Sequence, residues 1–342
     1  MGANGVAVLR RQSVYGALAV ASALSLVQPA QGAEYGQSLY LLGLSLPMAG
    51  FAPPPGVFLS STMYLYNGSA SGGINFPFGR TLDSGINEKF LVNATTISWF
   101  LPTPILGGTL GLAATAPFGK VDVSASASFG GPLLNPQGSR SDSTTGFGEP
   151  AFSAILGWHQ GNNHWSVTAT GFVPAGAYSA DALANVSLNR PGVDIKGAYT
   201  WLDMMTGLEL SGAVGMTFNM ANTATDYTTG TELHVEAAIN QHLANGFTFG
   251  AGGYFYQQIS DDSGSGDLVG PFRGRVAAIG PMIGDTFKVG EFPVTVGARW
   301  FHEFDTDKRV TGDSVFATLS MPLFVYPQPK PAPNSRLLTK AR

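Results

Sequence analysis

Apolar and polar residues alternate with a period of two through much of the chain. From Trp165 the odd positions read Trp165, Val167, Ala169, Gly171 and Val173, and the even ones read His164, Ser166, Thr168, Thr170 and then Phe172. That period belongs to a strand with one apolar and one polar face. Just ahead, Phe152, Ala154, Leu156 and Trp158 alternate against Ser153 and His159, and Gln160-Gly161-Asn162-Asn163 supplies a tight polar turn. The two runs predict a β-hairpin carrying Trp158 and Trp165 at the turn end of its apolar face. If that face meets lipid, both rings sit where an interfacial aromatic girdle would.

The same pattern recurs after Gly56. Twelve strands are expected, at roughly 56–66, 88–101, 107–118, 147–159, 163–174, 191–201, 206–220, 231–242, 246–259, 272–281, 291–304 and 313–324. Leu233, Val235, Ala237 and Ile239 oppose Glu232, His234, Glu236 and Asn240; Val294, Val296, Ala298 and Trp300 oppose Thr295, Arg299 and Glu303. Strands 56–66 and 88–101 alternate poorly, and their facing stays open. The connections sort by parity. Those at 102–106, 160–162, 202–205 and 243–245 are short, whereas 67–87, 119–146, 175–190, 221–230, 260–271 and 305–312 are long and polar, with a medium link at 282–290. Short turns on one side and long loops on the other suit an antiparallel transmembrane β-barrel, and a soluble sandwich has no reason to sort its loops this way. An even strand number brings both barrel ends to the short-turn, periplasmic side.

Composition sharpens this picture. Only 12% of the 342 residues are charged, against roughly 25% in an average soluble domain. Gly accounts for 45 residues and the hydrophobic share is 44%, yet past the N-terminus no apolar run reaches the ~18 residues of a spanning helix. A net charge of -4 argues against a nucleic-acid partner, and the absence of cysteine removes disulfide and thiolate chemistry.

Arg10 and Arg11, the apolar run Tyr15 to Val27 and the small residues ending at Ala33 read as a signal peptide over 1–33. Residues 34–55 follow as a luminal or periplasmic segment, or a flexible arm, ended by Pro53-Pro54-Pro55, which no ladder accommodates. The barrel is expected over 56–324, with Phe324 out of step with the outward Leu319, Met321 and Leu323. A Pro-rich basic tail over 325–342 completes the chain.

With apolar residues outward, the inward set collects Glu149, Asp194, Lys196, Glu209, Glu232, His234, Glu236, Arg273, Arg275, Arg299 and Glu303, beside Phe172, Tyr254, Tyr256 and Phe301. One Arg or Lys facing lipid near the midplane would cost about 2–4 kcal/mol, which favours the lumen for these charges. There they form either a structural ion-pair network or a pore lining, with Arg273, Arg275 and Arg299 opposite Glu232, Glu236 and Glu303. Enzyme chemistry finds little support. His164 and Ser166 share a strand face but lie roughly 6.6–7 Å apart, long for a nucleophile and its base. The same holds for His234 and Glu236. The five histidines lack ligand spacing, and Asp261, Asp262 and Asp267 in one outer loop suit water as well as Ca²⁺. No cofactor or metal is expected.

Three segments resemble the outer-membrane family known as "putative MetA-pathway of phenol degradation": Ala52-Pro53-Pro54-Pro55-Gly56, Thr145-Gly146-Phe147-Gly148-Glu149-Pro150, and Phe301 to Asp307 with Gly312 to Phe316. The family usually has Asp where this chain has Glu149. The resemblance implies an outer-membrane β-barrel associated with uptake of small hydrophobic or aromatic compounds. The expected function is therefore that of a channel, embedded in outer-membrane lipid, for passive uptake of such solutes through the barrel, with a non-conducting scaffold or receptor as the alternative and a barrel-embedded lipid hydrolase as a remote one. The oligomeric state stays open.

Overall fold

The computed structural model describes residues 36–76, 80–130, 137–265 and 273–327. The signal-peptide stretch 1–33, Asp267 and the tail beyond 327 lie outside them. The described chain is all-β. Its strands are β1 (Gly56–Phe76), β2 (Arg80–Phe100), β3 (Thr109–Gly130), β4 (Gln137–Phe147), β5 (Ala151–Gln160), β6 (Asn163–Phe172) and β7 (Gly192–Leu202). They continue with β8 (Leu208–Asn219), β9 (Glu232–His242), β10 (Phe247–Gln258), β11 (Arg275–Val289), β12 (Phe292–Asp307) and β13 (Thr311–Val325). Every neighbour is antiparallel. β1 also pairs with β13, from Gly56 opposite Val325 to Ser69 opposite Thr311, so the sheet closes into a 12-strand barrel with β4 as one extra strand. Closure gives each of the twelve barrel strands a partner on both sides, as a sheet in a bilayer requires.

Outward residues form an apolar belt. On β2 it runs from Trp99 to Leu91, and on the neighbouring β3 from Leu112 to Phe118. The β2 stretch matches the ~9–11 residues of a tilted spanning strand. The belt ends at the ion pair Lys120–Asp122, 2.8 Å apart and exposed. At the opposite rim Trp158 and Trp165 face each other across the β5–β6 pair, their rings 6.4 Å apart and 18° from parallel. The turn below them is the two residues Gly161 and Asn162, with Gly161 at φ +60°, a conformation glycine adopts without a Cβ penalty.

Several expected loops are strand. Residues 67–87 and 119–146 are mostly the upper arms of two hairpins, β1–β2 and β3–β4, which continue the barrel wall past the apolar belt. At roughly 3.3 Å per residue, the rise from Lys120 to Gly130 is about 30 Å. The run expected as one strand over 147–159 is interrupted. β3 pairs with β5 through Thr109–Thr115 and with β4 through Phe118–Ser128, and the chain leaves the ladder at Gly148-Glu149-Pro150. The long β6–β7 loop supplies the missing partners there, with Ala177 N donating to Phe147 O and Val173 N to Pro150 O. The link at 282–290 is strand down to a tight turn after Val289, and 305–312 shrinks to a short loop because β12 runs on to Asp307. A bulge between Val57 and Phe58 shifts β1 against β13, and both Leu323 and Phe324 stand exposed outside. This accounts for the phase break at Phe324.

Candidate functional site in the barrel lumen

Residues 36–55 do not hang below the barrel. They run inside it, from the loop end at Gln37 down to the turn end at Gly50, hydrogen-bonded to inward side chains along the way. Gly50 N donates to Thr200 Oγ1 at 3.0 Å and Met48 N to Glu209 Oε1 at 2.7 Å. Higher up, Glu236 accepts from Tyr40 OH (2.7 Å), Gly43 N (3.0 Å) and Ser45 N (3.0 Å). Arg299 donates to the carbonyls of Leu46 and Leu44, and Ser38 Oγ donates to Glu232 at 3.0 Å. Near the loop end Arg190 holds the Gln37 carbonyl at 2.6 Å.

The segment lies against β6 to β13. Leu42, Leu46, Tyr254, Phe301 and Phe316 form one buried cluster there, and Tyr40 stacks on His234 with ring centroids 3.8 Å apart. Two wall glycines make the fit possible: a Cβ added at Gly157 would lie 2.3 Å from Ala52 Cβ, and one at Gly192 2.4 Å from Leu39 Cδ1. The proline run ends the segment, and Tyr326 N donates to Pro55 O where the chain enters β1.

Most of the expected inward charges are found in the lumen, in structural roles. Asp194 accepts from Thr217 and pairs with His234 Nε2 at 2.8 Å. Glu209 pairs with His242 Nε2 at 2.7 Å. Glu232 accepts from Tyr256 OH, and Glu303 accepts from Tyr66 OH, Tyr254 OH and Gly312 N. Lys196 Nζ contacts Ser45 Oγ, and from Ser45 hydrogen bonds run through Tyr40 to Glu236. Such pairing is what lets charges stay buried. Glu149 lines the cavity at the strand break, where it accepts from Ser187 Oγ, Leu188 N and Asn189 N of the β6–β7 loop. Arg273 and Arg275 are not luminal. Arg273 belongs to the β10–β11 loop and pairs with Asp261 at 2.7 Å, and Arg275 opens β11 at the outer rim beside Asp305 at 3.1 Å. All four side chains are about half exposed, so water and carboxylates at the outer rim serve these cations.

Of the candidate chemistry, His164 meets His159, Nδ1 to Nδ1 at 2.6 Å, with Phe51 against both rings. Asp262 is occupied by Tyr227 OH and Gly230 N. Among the described residues no group of three or more acidic or histidine side chains could hold a metal ion.

The other side of the lumen is open. A cavity of about 670 Å³ lies between the luminal segment and the wall from β13 through β1, β2, β3 and β5 to β6. Across the strands its hydroxyls pair with each other: Thr62 with Thr318 (3.2 Å), Thr96 with Thr115 (2.8 Å) and Ser153 with Thr170 (2.8 Å). Ala94, Ala113, Val92 and Ile155 fill the rest of that wall. The stretches 56–66 and 88–101 thus turn Ser60, Thr62, Tyr64 and Tyr66, and Phe90 to Thr96 in alternation, toward the cavity. Sequence reading missed this face because hydroxyls and alanines carry no contrast with the outward side.

The β6–β7 loop covers the loop end. Leu183 and Ala184 donate their amides to Asp142 Oδ2, Thr144 donates to Ala184 O, and Ala184 packs with Val121, Val123 and Val310. Those backbone hydrogen bonds hold the Asp142 carboxyl below its ordinary range.

Residues 71–319 match the family described as "Putative MetA-pathway of phenol degradation". An outer membrane channel from Pseudomonas putida F1 has a similar fold, with a TM-score of 0.60 at 15% identity, covering 80% of this chain and 97% of that one. A FadL homologue from Pseudomonas aeruginosa aligns at a TM-score of 0.41 and 12% identity over 86% of this chain and 98% of its own. No curated protein matches the sequence. The closed barrel with its apolar belt and outer-membrane fold is a protein of the bacterial outer membrane.

Proposed function

We propose, on the premise that this chain belongs to the "putative MetA-pathway of phenol degradation" family, that it is an outer-membrane channel for passive uptake of small hydrophobic or aromatic compounds. One observation supports the reading above the others: the strands on the open side of the lumen turn mostly hydroxyls, alanines and aromatic rings toward the cavity, and the hydroxyls satisfy one another. An apolar solute moving along such a wall breaks no ion pair and strips no hydrated charge, whereas an ion finds few groups to replace its water. The name of the Pseudomonas putida relative, a channel, agrees with it. The reading is of a passage and not a catalyst, with His164 engaged by His159 and Ser166 left without a base.

A second reading, a non-conducting scaffold or receptor, draws on the luminal segment, which fills the charged side of the barrel. Uptake separates the two. Cells expressing the protein should accumulate labelled toluene or p-cresol several-fold faster than cells with the gene deleted. Equal rates for both, in cells carrying correctly inserted barrel, would sink the channel reading and leave the scaffold.

A further inference from the structure

At the loop end of the cavity two opposite charges line the same space without meeting. Glu88 is 3% exposed, and its single hydrogen bond among the described residues is a long one, from Gln37 Nε2 at 3.5 Å. Arg309, from the short loop between β12 and β13, lies over the Tyr256 ring at 4.5 Å, and its Nη1 is shut from solvent with no acceptor. Both residues line the cavity. Neither is in an ion pair among the described residues. The nearby Glu303 is already occupied by two tyrosine hydroxyls and a backbone amide. Aromatic faces flank the gap, with Tyr66 stacked on Phe90 at 5.5 Å and 23°.

A buried carboxylate with one weak partner and a guanidinium with none are both costly unless something completes them. The completing group must give a proton to one side and accept one from the other. Its net charge must also be near zero, because an anion would face Glu88 and Glu303 and a cation would face Arg309. We propose that this gap is a head-group site for a neutral hydroxyl on an aromatic or aliphatic body. The O–H donates to Glu88, the oxygen accepts from Arg309, and the body lies along Tyr66 and Phe90. A hydrocarbon of the same shape leaves both charges unsatisfied, and sites built to bond a hydroxyl reject the analogue lacking it. The inference deepens the channel reading and rests on it only for how the solute arrives.

Equilibrium binding to the purified barrel tests the site apart from transport. The probes are p-cresol, its isostere toluene, benzoate and benzylammonium. We expect p-cresol to bind about tenfold tighter than toluene, as befits hydrogen bonds to charged groups, and both ions to bind weakly. Glu88→Gln should weaken p-cresol binding by a few-fold and Glu88→Leu by about tenfold, with toluene unmoved by either. Arg309→Met should act the same way. If that loop variant loses its heat-modifiable folded form, Glu88→Gln, which preserves shape, decides. No preference for p-cresol, or equal losses for p-cresol and toluene, overturns the proposal. Tight, Glu88-dependent binding with no uptake by cells would leave the site standing and remove the channel.

Discussion

The two sides of this lumen are built from different strands of one sheet and do opposite things. From β7 to β12 the inward positions carry Asp194, Glu209, Glu232, Glu236 and Arg299, and nearly every one is bonded to the luminal segment or to a neighbour on the wall. From β13 through β1 to β6 they carry mostly threonine, serine, alanine and aromatic residues, the hydroxyls paired across strands and facing the cavity, with Glu88 the charged exception on β2. Most of the luminal charge on the strands thus lies where the segment fills the barrel.

The comparison can be broken hardest at Glu236. Replacing it with Leu strips the acceptor from Tyr40 OH, Gly43 N and Ser45 N together. Hydrogen bonds to a charged group contribute about 1.5–3 kcal/mol each, so the luminal segment should loosen and single-channel conductance in a planar bilayer should rise several-fold. Thr96→Val on the open side should leave conductance within about twofold, since it removes one neutral bond between partners that both touch the cavity. Identical traces for Glu236→Leu and the parent would show that the segment is held elsewhere.

A smaller effect is expected from added bulk. Gly157→Ala drives a methyl into Ala52 and should lower stability by about 1–3 kcal/mol, the usual range for overpacking, read as an earlier unfolding midpoint in detergent. Gly171→Ala, where an added Cβ meets nothing within 4 Å, is the matched control and should leave the midpoint unchanged.

Acid should act on the cover of the open side. Asp142 has a folded-state pKa depressed by the amides it accepts from, so its contribution is present above the unfolded value and lost as pH falls through the folded one. The β6–β7 loop should thus stay docked from neutral pH down to about 4, the ordinary carboxylate range, and loosen only below it. Hydrogen exchange at Leu183 and Ala184 would report this; protection lost already near pH 6 would contradict it. The smallest change belongs to the rim. Converting Arg273 and Arg275 to Glu should leave ion preference where it was, because both cations are exposed and pair with carboxylates at the outer rim. A clear shift toward cations in reversal potential would return them to the pathway.

What the sequence made legible follows from what each face touches. The turn and the facing of the hairpin from Ala151 to Phe172 were readable because lipid on one side and the lumen on the other enforce contrast at every step, although its first arm begins at Ala151 and not at 147. The upper arms of β1 to β4 were unreadable as strands. Stretches such as Ser124-Ala125-Ser126-Ala127-Ser128 and Ser139-Arg140-Ser141-Asp142-Ser143 lie beyond the apolar belt, where no lipid sets one face apart from the other. Glu236, Glu232 and Arg299 were recognisable as inward, yet their partners Tyr40, Ser38 and the Leu46 carbonyl lie far upstream, in a segment with no periodicity to announce it. Arg273 and Arg275 were misjudged for a simpler reason. Strand β11 begins at Arg275 and not before, which leaves Arg273 in the loop and Arg275 at the rim.

The luminal segment also bears on how the chain reaches its native state. Its contacts join residues far apart in sequence, 150 positions between Gly50 and Thr200 and 253 between Leu46 and Arg299. Contacts of such high order must wait for the loop entropy between them to be overcome, and chains dominated by them fold slowly. Part of the chain that precedes every strand can settle only after β12 exists. The apolar wall for Leu42 and Leu46 is made by side chains of β9 to β13, so these leucines are covered only when the last strands of the chain are in place.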